Sequence, residues 1–288
     1  MGEKQAKVKI GVLGAGAISG IYFQNLTELF REVEVWAVCD LFREKAAEAG
    51  EKYGIPRVYD TMEELLRVKE IEIVLNLTRP NEHYATTRAA LLAGKHVYSE
   101  KPLAATYEEG AELAALAAER GLLLGGAPDT FLGAGIQTCR RLIDDGMIGD
   151  VIGAEAKMVC HGHESWHPAP EFYYQYGGGP MMDMGPYYMT ALVNLIGRVQ
   201  SISGMTGTAF PQRIITSKPK QGTVVDVEVP THTTGLMKFQ NGAIATVVTT
   251  FDVYYDRQAF LEIYGTRGTL RVPDPNGFGG SVSLLRPD

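Results

Sequence analysis

Between residue 7 and about residue 126, short apolar or β-branched runs alternate with longer helical stretches: "VKIGVL", "VEVWAVCD", "IEIVLNL", "KHVYSE" and "LLLGGA". Strands that are apolar throughout, rather than at every second residue, need cover on both faces. The intervening helices supply it, so this half reads as an α/β domain built on a doubly wound parallel sheet. Two of the helices mark their own starts. Thr61 with Glu64, and Thr106 with Glu109, have capping-box spacing, and Gly121 is placed to end the second helix.

At the first strand-to-helix turn stands "GAGAIS", residues 14–19. Gly14 permits a tight turn and Gly16 lets the backbone approach a pyrophosphate. Ala17 and Ile18 lead into the helix, and Ser19, small enough for close packing, occupies the usual third-glycine position. Asp40 ends the second strand a little over 20 residues on, where a carboxylate accepts hydrogen bonds from an adenosine ribose and repels a 2′-phosphate. The context, strand then turn then helix, predicts a Rossmann domain over residues 1–126 that binds NAD in preference to NADP. Arg43 nearby is the one residue that would tolerate the extra phosphate. The plainer alternative is a tight turn without ligand, with Asp40 as a helix cap.

In an open parallel sheet, ligands bind at the carboxyl ends of the strands. "GKHVYSEKPLA" delivers Glu100, Lys101 and Pro102 to that edge. A lysine beside a cationic ring, partly desolvated, loses proton affinity and becomes useful in proton transfer. This stretch resembles the Glu-Lys-Pro motif of the glucose–fructose oxidoreductase / inositol dehydrogenase / MocA family. "LNLTRPNEHYATTRAALLAGKHV" is similar to that family's fourth strand, Pro-x-x-His turn and helix. The resemblance runs from Lys7 to about Val272 and implies that Lys101 is catalytic. It also implies that Glu100 and Pro102 contact or position the cofactor, with Thr78, Pro80 and His83 near the nicotinamide side. Arg79 stands where a small residue is usual.

After Ala127 the periodicity changes. "TFLGAGIQTCRRLIDDGMIGDV" (130–151) reads as one helix ending at Gly146. Strands are then expected at about 151–161, 200–209, 228–239, 243–252, 258–265 and 268–272, with Asn241-Gly242 as a hairpin turn. Residues 127–288 are therefore an α+β domain with a large, mostly antiparallel sheet, open on one face to a partner or substrate. Asp183 and Tyr187 in "GGGPMMDMGPYYMTAL" (177–192) are four apart, which puts both on one helical face. The segment resembles the family's Asp-x-Gly-x-His helix, but Tyr187 takes the histidine position and Thr190 that of a common aspartate. Free tyrosine titrates near about 10, so a Lys101–Tyr187 pair and an alkaline optimum are expected. The alternative is that Tyr187 is a packing aromatic.

Upstream, in "CHGHESWHPAPEFYYQYGGG", His161, His163 and His167 invite a zinc site, but no carboxylate or cysteine completes a known spacing, so no metal is expected. The family resemblance makes this the substrate wall, with Trp166, His167, Tyr173 and Tyr174 stacking on and hydrogen-bonding a polyhydroxylated ring; Tyr176 is expected to pack in the loop. Asp183 would be a substrate or lysine partner. Beyond "GSVSLLRPD" the resemblance implies a further strand and a C-terminal helix, a piece expected to be missing here. The seam so exposed, with the open sheet, is expected to make a homo-oligomer, dimer or tetramer.

The remaining composition excludes other classes. Lys and Arg number 27 against 34 Asp and Glu, a net charge of −7 without a basic stripe, so no nucleic-acid partner is expected. No apolar run approaches the roughly 18 residues of a membrane span, and "KVKIGVLGAG" at the start is a strand rather than a signal peptide. Cys39, Cys139 and Cys160 are widely spaced and suit reduced thiols in a cytoplasmic core. The leading expectation is an NAD-dependent dehydrogenase of a sugar, cyclitol or related polyol, using a Lys/Tyr proton relay. A redox glycosidase, which oxidises, eliminates and re-reduces, and a non-catalytic NAD-binding regulator are the alternatives.

Overall fold

The computed structural model describes residues 6–254 and 260–287. They fall into two compact units, the first ending at Ala127 and the second beginning at Pro128.

The first unit holds six strands: β1 (Val8–Leu13), β2 (Val33–Cys39), β3 (Val58–Tyr59), β4 (Ile73–Asn76), β5 (His96–Ser99) and β6 (Leu124–Gly126). Their order is β3-β2-β1-β4-β5-β6, and every pair is parallel. The helices between them are α1 (Ser19–Gln24, continued by a π turn at Asn25–Leu29), α2 (Arg43–Tyr53), α3 (Met62–Leu66), α4 (His83–Leu92) and α5 (Tyr107–Glu119). Side chains alternate across the sheet, so each strand feeds two cores. Ile10 and Val12 pack with Phe23, Val35 and Ala46. Leu13 packs with Leu65, Val74, Val97 and Leu113. Both capping boxes form, at Thr61 and at Thr106, and Gly121 takes the left-handed conformation (φ +65°) just beyond α5. Only β3 was not anticipated: two residues are too few to show a period. Chain order reverses direction between β1 and β4, which opens a crevice at the carboxyl ends of those two strands.

The second unit contains α6 (Ala134–Asp144), β7 (Val151–Val159), α7 (Pro180–Asp183), α8 (Gly185–Ile196), β8 (Val199–Gly207), β9 (Gln212–Ile214), β10 (Val224–Asp226), β11 (His232–Phe239), β12 (Ile244–Thr250), β13 (Leu261–Gly265), β14 (Gly268–Val272) and β15 (Ser283–Leu285). Seven strands form one sheet in the order β15-β14-β13-β7-β12-β11-β8, antiparallel except where β12 runs beside β7. Asn241-Gly242 makes the β11–β12 turn, Gly242 with φ +91°. Residues 258 and 259 of the strand expected at 258–265 lie outside the described residues. The hairpin β9–β10 and β15, three residues each, carry no readable period.

One face of this sheet is covered. Ile136, Cys139, Tyr188, Leu192 and Leu195 from α6 and α8 pack with Ala154, Ala156, Met158, Ala245, Val247 and Ile263. On β11 and β12 buried and exposed residues alternate, as a sheet with one covered face requires.

Two expected helices are divided. The stretch 130–151 is a 3-10 turn (Thr130–Leu132) and then α6, separated at Gly133, whose backbone is extended (φ −71°, ψ 162°). A Cβ there would sit 2.3 Å from the Phe278 carbonyl oxygen, so a tertiary neighbour sets the break. The stretch around Asp183 is two helices, α7 and α8, meeting at Met184 (φ −110°, ψ −27°). Pro186 has no N–H to continue a helical ladder through this point. Asp183 ends one helix and Tyr187 lies in the first turn of the next, so the one-face argument from their spacing does not hold.

Candidate functional site

In the first unit the site is the rim of the crevice. Gly14 has φ +101°, and a Cβ on it would meet the Leu77 carbonyl oxygen at 2.5 Å; its amide donates to the Cys39 carbonyl (2.9 Å). Only glycine allows that close, left-handed passage. Gly16 differs: a Cβ there would meet nothing within 4 Å, so the backbone borders open space. Ser19 donates its hydroxyl to the Gly16 carbonyl (2.7 Å), and Ala17 and Ile18 are exposed on the way into α1.

Asp40 sits at the end of β2, its Oδ2 accepting the Ala15 amide (2.7 Å) and its Oδ1 the Phe42 amide (2.8 Å). Those two bonds fix the carboxylate while leaving lone pairs on both oxygens. Arg43 is committed to an exposed ion pair with Asp60.

At the ends of β4 and β5 a chain of hydrogen bonds positions the Glu100-Lys101-Pro102 loop. Buried Asn76 donates from Nδ2 to the His83 carbonyl (3.2 Å) and to Thr87 Oγ1 (3.0 Å); its Oδ1 accepts the Thr78 amide and hydroxyl (3.2 and 2.7 Å). The Glu100 amide donates to the Asn76 carbonyl (2.8 Å). The Glu100 carboxylate accepts the Tyr22 hydroxyl (2.8 Å) and the Lys101 amide (2.9 Å). Lys101 is half-buried at the rim, and Pro80 is half-buried at the start of the turn before α4.

His83 differs from expectation. It is 1% exposed, its Nδ1 lying 2.6 Å from the Pro102 carbonyl oxygen and its Nε2 2.9 Å from that of Thr78. It braces two loops from inside and presents no surface to a cofactor, because the first turn of α4 points the ring inward. Asn76 and Tyr22 went unread in the sequence. An asparagine inside "IVLNL" was the available signal, since a buried amide needs partners.

In the second unit a polar knot organises the 160–179 segment. The Arg213 guanidinium, on β9, donates to Glu164 Oε1 (3.1 Å), to the Phe251 carbonyl (3.0 Å) and to Asp252. The Tyr174 hydroxyl donates to Glu164 Oε2 (2.6 Å), and Thr231 to Asp252 Oδ2 (2.8 Å). Tyr174 is fully buried, and burial and the Glu164 carboxylate raise its pKa well above the usual phenol range. Tyr174 is thus interior rather than part of an open wall. Tyr176, expected to pack, is 56% exposed. Two glycines of the 177–179 run allow the chain to approach itself closely: a Cβ at Gly178 would lie 2.4 Å from the Phe172 carbonyl oxygen, and one at Gly179 2.9 Å from that of Pro230.

Above the knot lies an aromatic patch. Trp166 is 61% exposed, and Tyr173 and His167 are half-buried. His167 Nδ1 accepts the Ala169 amide (3.0 Å), which leaves the proton on Nε2, and burial lowers its pKa. Burial, then the Asp183 charge, raise the Tyr173 phenol. His161 leaves this cluster, stacking on Tyr254 with ring centres 3.6 Å apart. His163 enters it, with Nε2 3.2 Å from Asp183 Oδ2. The sequence reading had considered His163 only for zinc. Tyr187 is partly buried in the first turn of α8, its amide donating to the Met184 carbonyl (3.1 Å).

Comparison with known proteins agrees with both units. Residues 8–126 match the family model of an oxidoreductase family with an NAD-binding Rossmann fold, GFO_IDH_MocA, and residues 136–271 match the GFO/IDH/MocA C-terminal domain. A D-xylose dehydrogenase of Paenarthrobacter nicotinovorans is 29% identical over 174 residues, 59% of this chain and 45% of that protein. The match therefore spans less than half the length of that relative. The trans-1,2-dihydrobenzene-1,2-diol dehydrogenase of Bos taurus is 29% identical over 271 residues, covering 92% of this chain and 74% of its own length. Among solved structures, a levoglucosan dehydrogenase in complex with NADH and levoglucosan superimposes with a TM-score of 0.83 at 20% identity, covering 98% of this chain and 76% of that one. At that identity the likeness is one of fold.

Proposed function

Because the chain belongs to the Gfo/Idh/MocA oxidoreductase family, with its NAD-binding Rossmann fold, we propose that it is an NAD-dependent dehydrogenase acting on a secondary hydroxyl of a sugar, cyclitol or related polyol. The observation that carries this reading is the β1–α1 turn, open at Gly16 and backed by the fixed carboxylate of Asp40. The backbone from Gly14 to Ile18 would hold the pyrophosphate and Asp40 the ribose, while Thr78, Pro80 and the Glu100-Lys101-Pro102 loop would border the nicotinamide. Arg43, held by Asp60, supports NAD over NADP. The cofactor supplies the hydride acceptor, and the protein supplies orientation and the proton path.

On that path Lys101 and Tyr187 act together, the ammonium stabilising phenolate character as the hydroxyl proton leaves. Trp166, His167 and Tyr173 give a wall of apolar faces with polar tips, suited to the C–H faces and hydroxyls of a sugar. The relatives and fold neighbours whose names specify sugars support that substrate class. The chain works in a reducing, cytoplasmic compartment and self-associates through the open face of its second sheet.

The test is a panel of free sugars, inositols and chromogenic glycosides with NAD, following nicotinamide reduction and aglycone release together, with Lys101→Ala as control. Net reduction that falls at least about 100-fold in the variant supports the dehydrogenase, a loss typical of removing a proton-transfer group. Aglycone release without net reduction replaces it with a redox glycosidase. Bound NAD with silence on both channels makes the chain a regulator.

A further inference from the structure

His163 follows β7 in the second unit, with its side chain only 12% exposed. Its Nε2 lies 3.2 Å from Oδ2 of Asp183, whose side chain is 15% exposed. A carboxylate only accepts, so Nε2 carries the ring proton and Nδ1 of the neutral ring is left as an acceptor. Among the described residues Nδ1 has no hydrogen-bond partner, and it is not one of the sealed, unpartnered polar atoms, a group that does include Nδ1 of His161. Aromatic rings hold the imidazole in place: Tyr173 at 4.1 Å between centroids, Phe251 at 4.7 Å and Trp166 at 5.2 Å. A ring oriented by a carboxylate on one nitrogen and open on the other is the arrangement that general-base histidines use on unrelated folds.

We propose that the proton removed from the substrate hydroxyl comes to rest on Nδ1 of His163, with Asp183 as the residue that orients the ring and balances its charge. The inference rests on the dehydrogenase reading above and supplies what that reading lacks. With an ordinary pKa of about 10, a tyrosine is already protonated at neutral pH, so it can relay a proton only by giving up its own, whereas a neutral imidazole has a vacant nitrogen to receive one. The family motif places a histidine where this chain has Tyr187; here an imidazole reaches the same α7–α8 segment from the end of β7 instead. The balance is closed. The carbinol C–H leaves as hydride to the oxidised nicotinamide, and the O–H electron pair becomes the second C–O bond. The proton ends on Nδ1, giving an imidazolium beside the Asp183 carboxylate. The other polar neighbours are consistent with a proton store: His167 has its lone pair taken by the Ala169 amide, and the Tyr173 phenol is held protonated by burial and by Asp183.

Two measurements test this. In the protein without cofactor, nitrogen-15 ring shifts of His163, identified by their loss in His163→Gln, should show the tautomer protonated at Nε2, and Asp183→Asn should remove that preference. In turnover, His163→Ala should lower kcat about 100-fold or more, leave the NAD dissociation constant within twofold, and regain at least tenfold with added imidazole. A ring protonated at Nδ1 overturns the proposal, and so does a His163→Gln enzyme within threefold of the unmodified rate. Loss of rate that imidazole does not restore assigns His163 to packing and overturns it equally. If the unmodified chain oxidises no polyol, the dehydrogenase reading fails and the proton role falls with it. A failure of the inference alone leaves that chain active.

Discussion

Cys39 and Cys139 are buried thiols, and burial, with Asp40 adding to it at Cys39, pushes each up to about 11. A raised pKa means the folded chain keeps these protons after the unfolded chain has begun to lose them. Stability from this source is whole below about pH 8.5–9 and declines as pH climbs toward 11, by about 2–3 kcal/mol per thiol. The urea midpoint should hold steady from pH 7 to 8.5 and then fall. In a Cys39→Ala/Cys139→Ala variant the alkaline fall should be shallower; an identical pH profile in the two proteins would show that the thiols are not its source. At this scale the sequence was legible wherever a residue's role is local. Asp40 and Gly14 stand where a strand end and its turn put them. His163, Glu164 and Arg213 were not legible as partners, because their contacts join residues from 20 to 49 positions apart.

The β1–α1 turn offers a sharper test at the level of an element. Gly14 and Gly16 belong to one motif yet meet different things. Gly14→Ala puts a Cβ against the Leu77 carbonyl in a left-handed backbone, and should cost about 1–3 kcal/mol or more of stability. Gly16→Ala touches nothing in the protein, so its melting temperature should match the unmodified chain while its NAD dissociation constant rises at least about tenfold. Equal NAD affinity in Gly16→Ala would mean the open space is not the pyrophosphate seat. Elements with their own signals formed as read: both capping boxes, the Asn241-Gly242 turn and the long strands. The two misread helices broke for reasons absent from their own periodicity. Phe278 crowds Gly133 from more than a hundred residues away, and Pro186 ends a ladder that amphipathic spacing alone would have continued.

At the scale of the whole molecule, the open face of the second unit's sheet carries exposed apolar side chains among the described residues. Met205, Leu236 and Ile244 are 83%, 54% and 57% exposed on adjacent strands, and β8 is a nine-residue edge strand exposed over nearly its whole length. Apolar side chains along an uncovered sheet suit self-association. Sedimentation should show a dimer or larger assembly, and Leu236→Glu should yield monomer with unchanged melting; an unmodified chain that sediments as a monomer at high concentration removes the proposal. What the sequence by itself determined is what the chain encodes locally. The parallel and antiparallel halves follow from continuous against alternating apolar patterns, and the tight β1–α1 turn from its glycines. Only the tertiary structure decided which side chains share a site. It turned His83 inward as a brace, sealed Tyr174 against Glu164, and set His163 beside Asp183. Periodicity records which face of an element is buried, whereas the partner met there is fixed by packing between segments far apart in the chain.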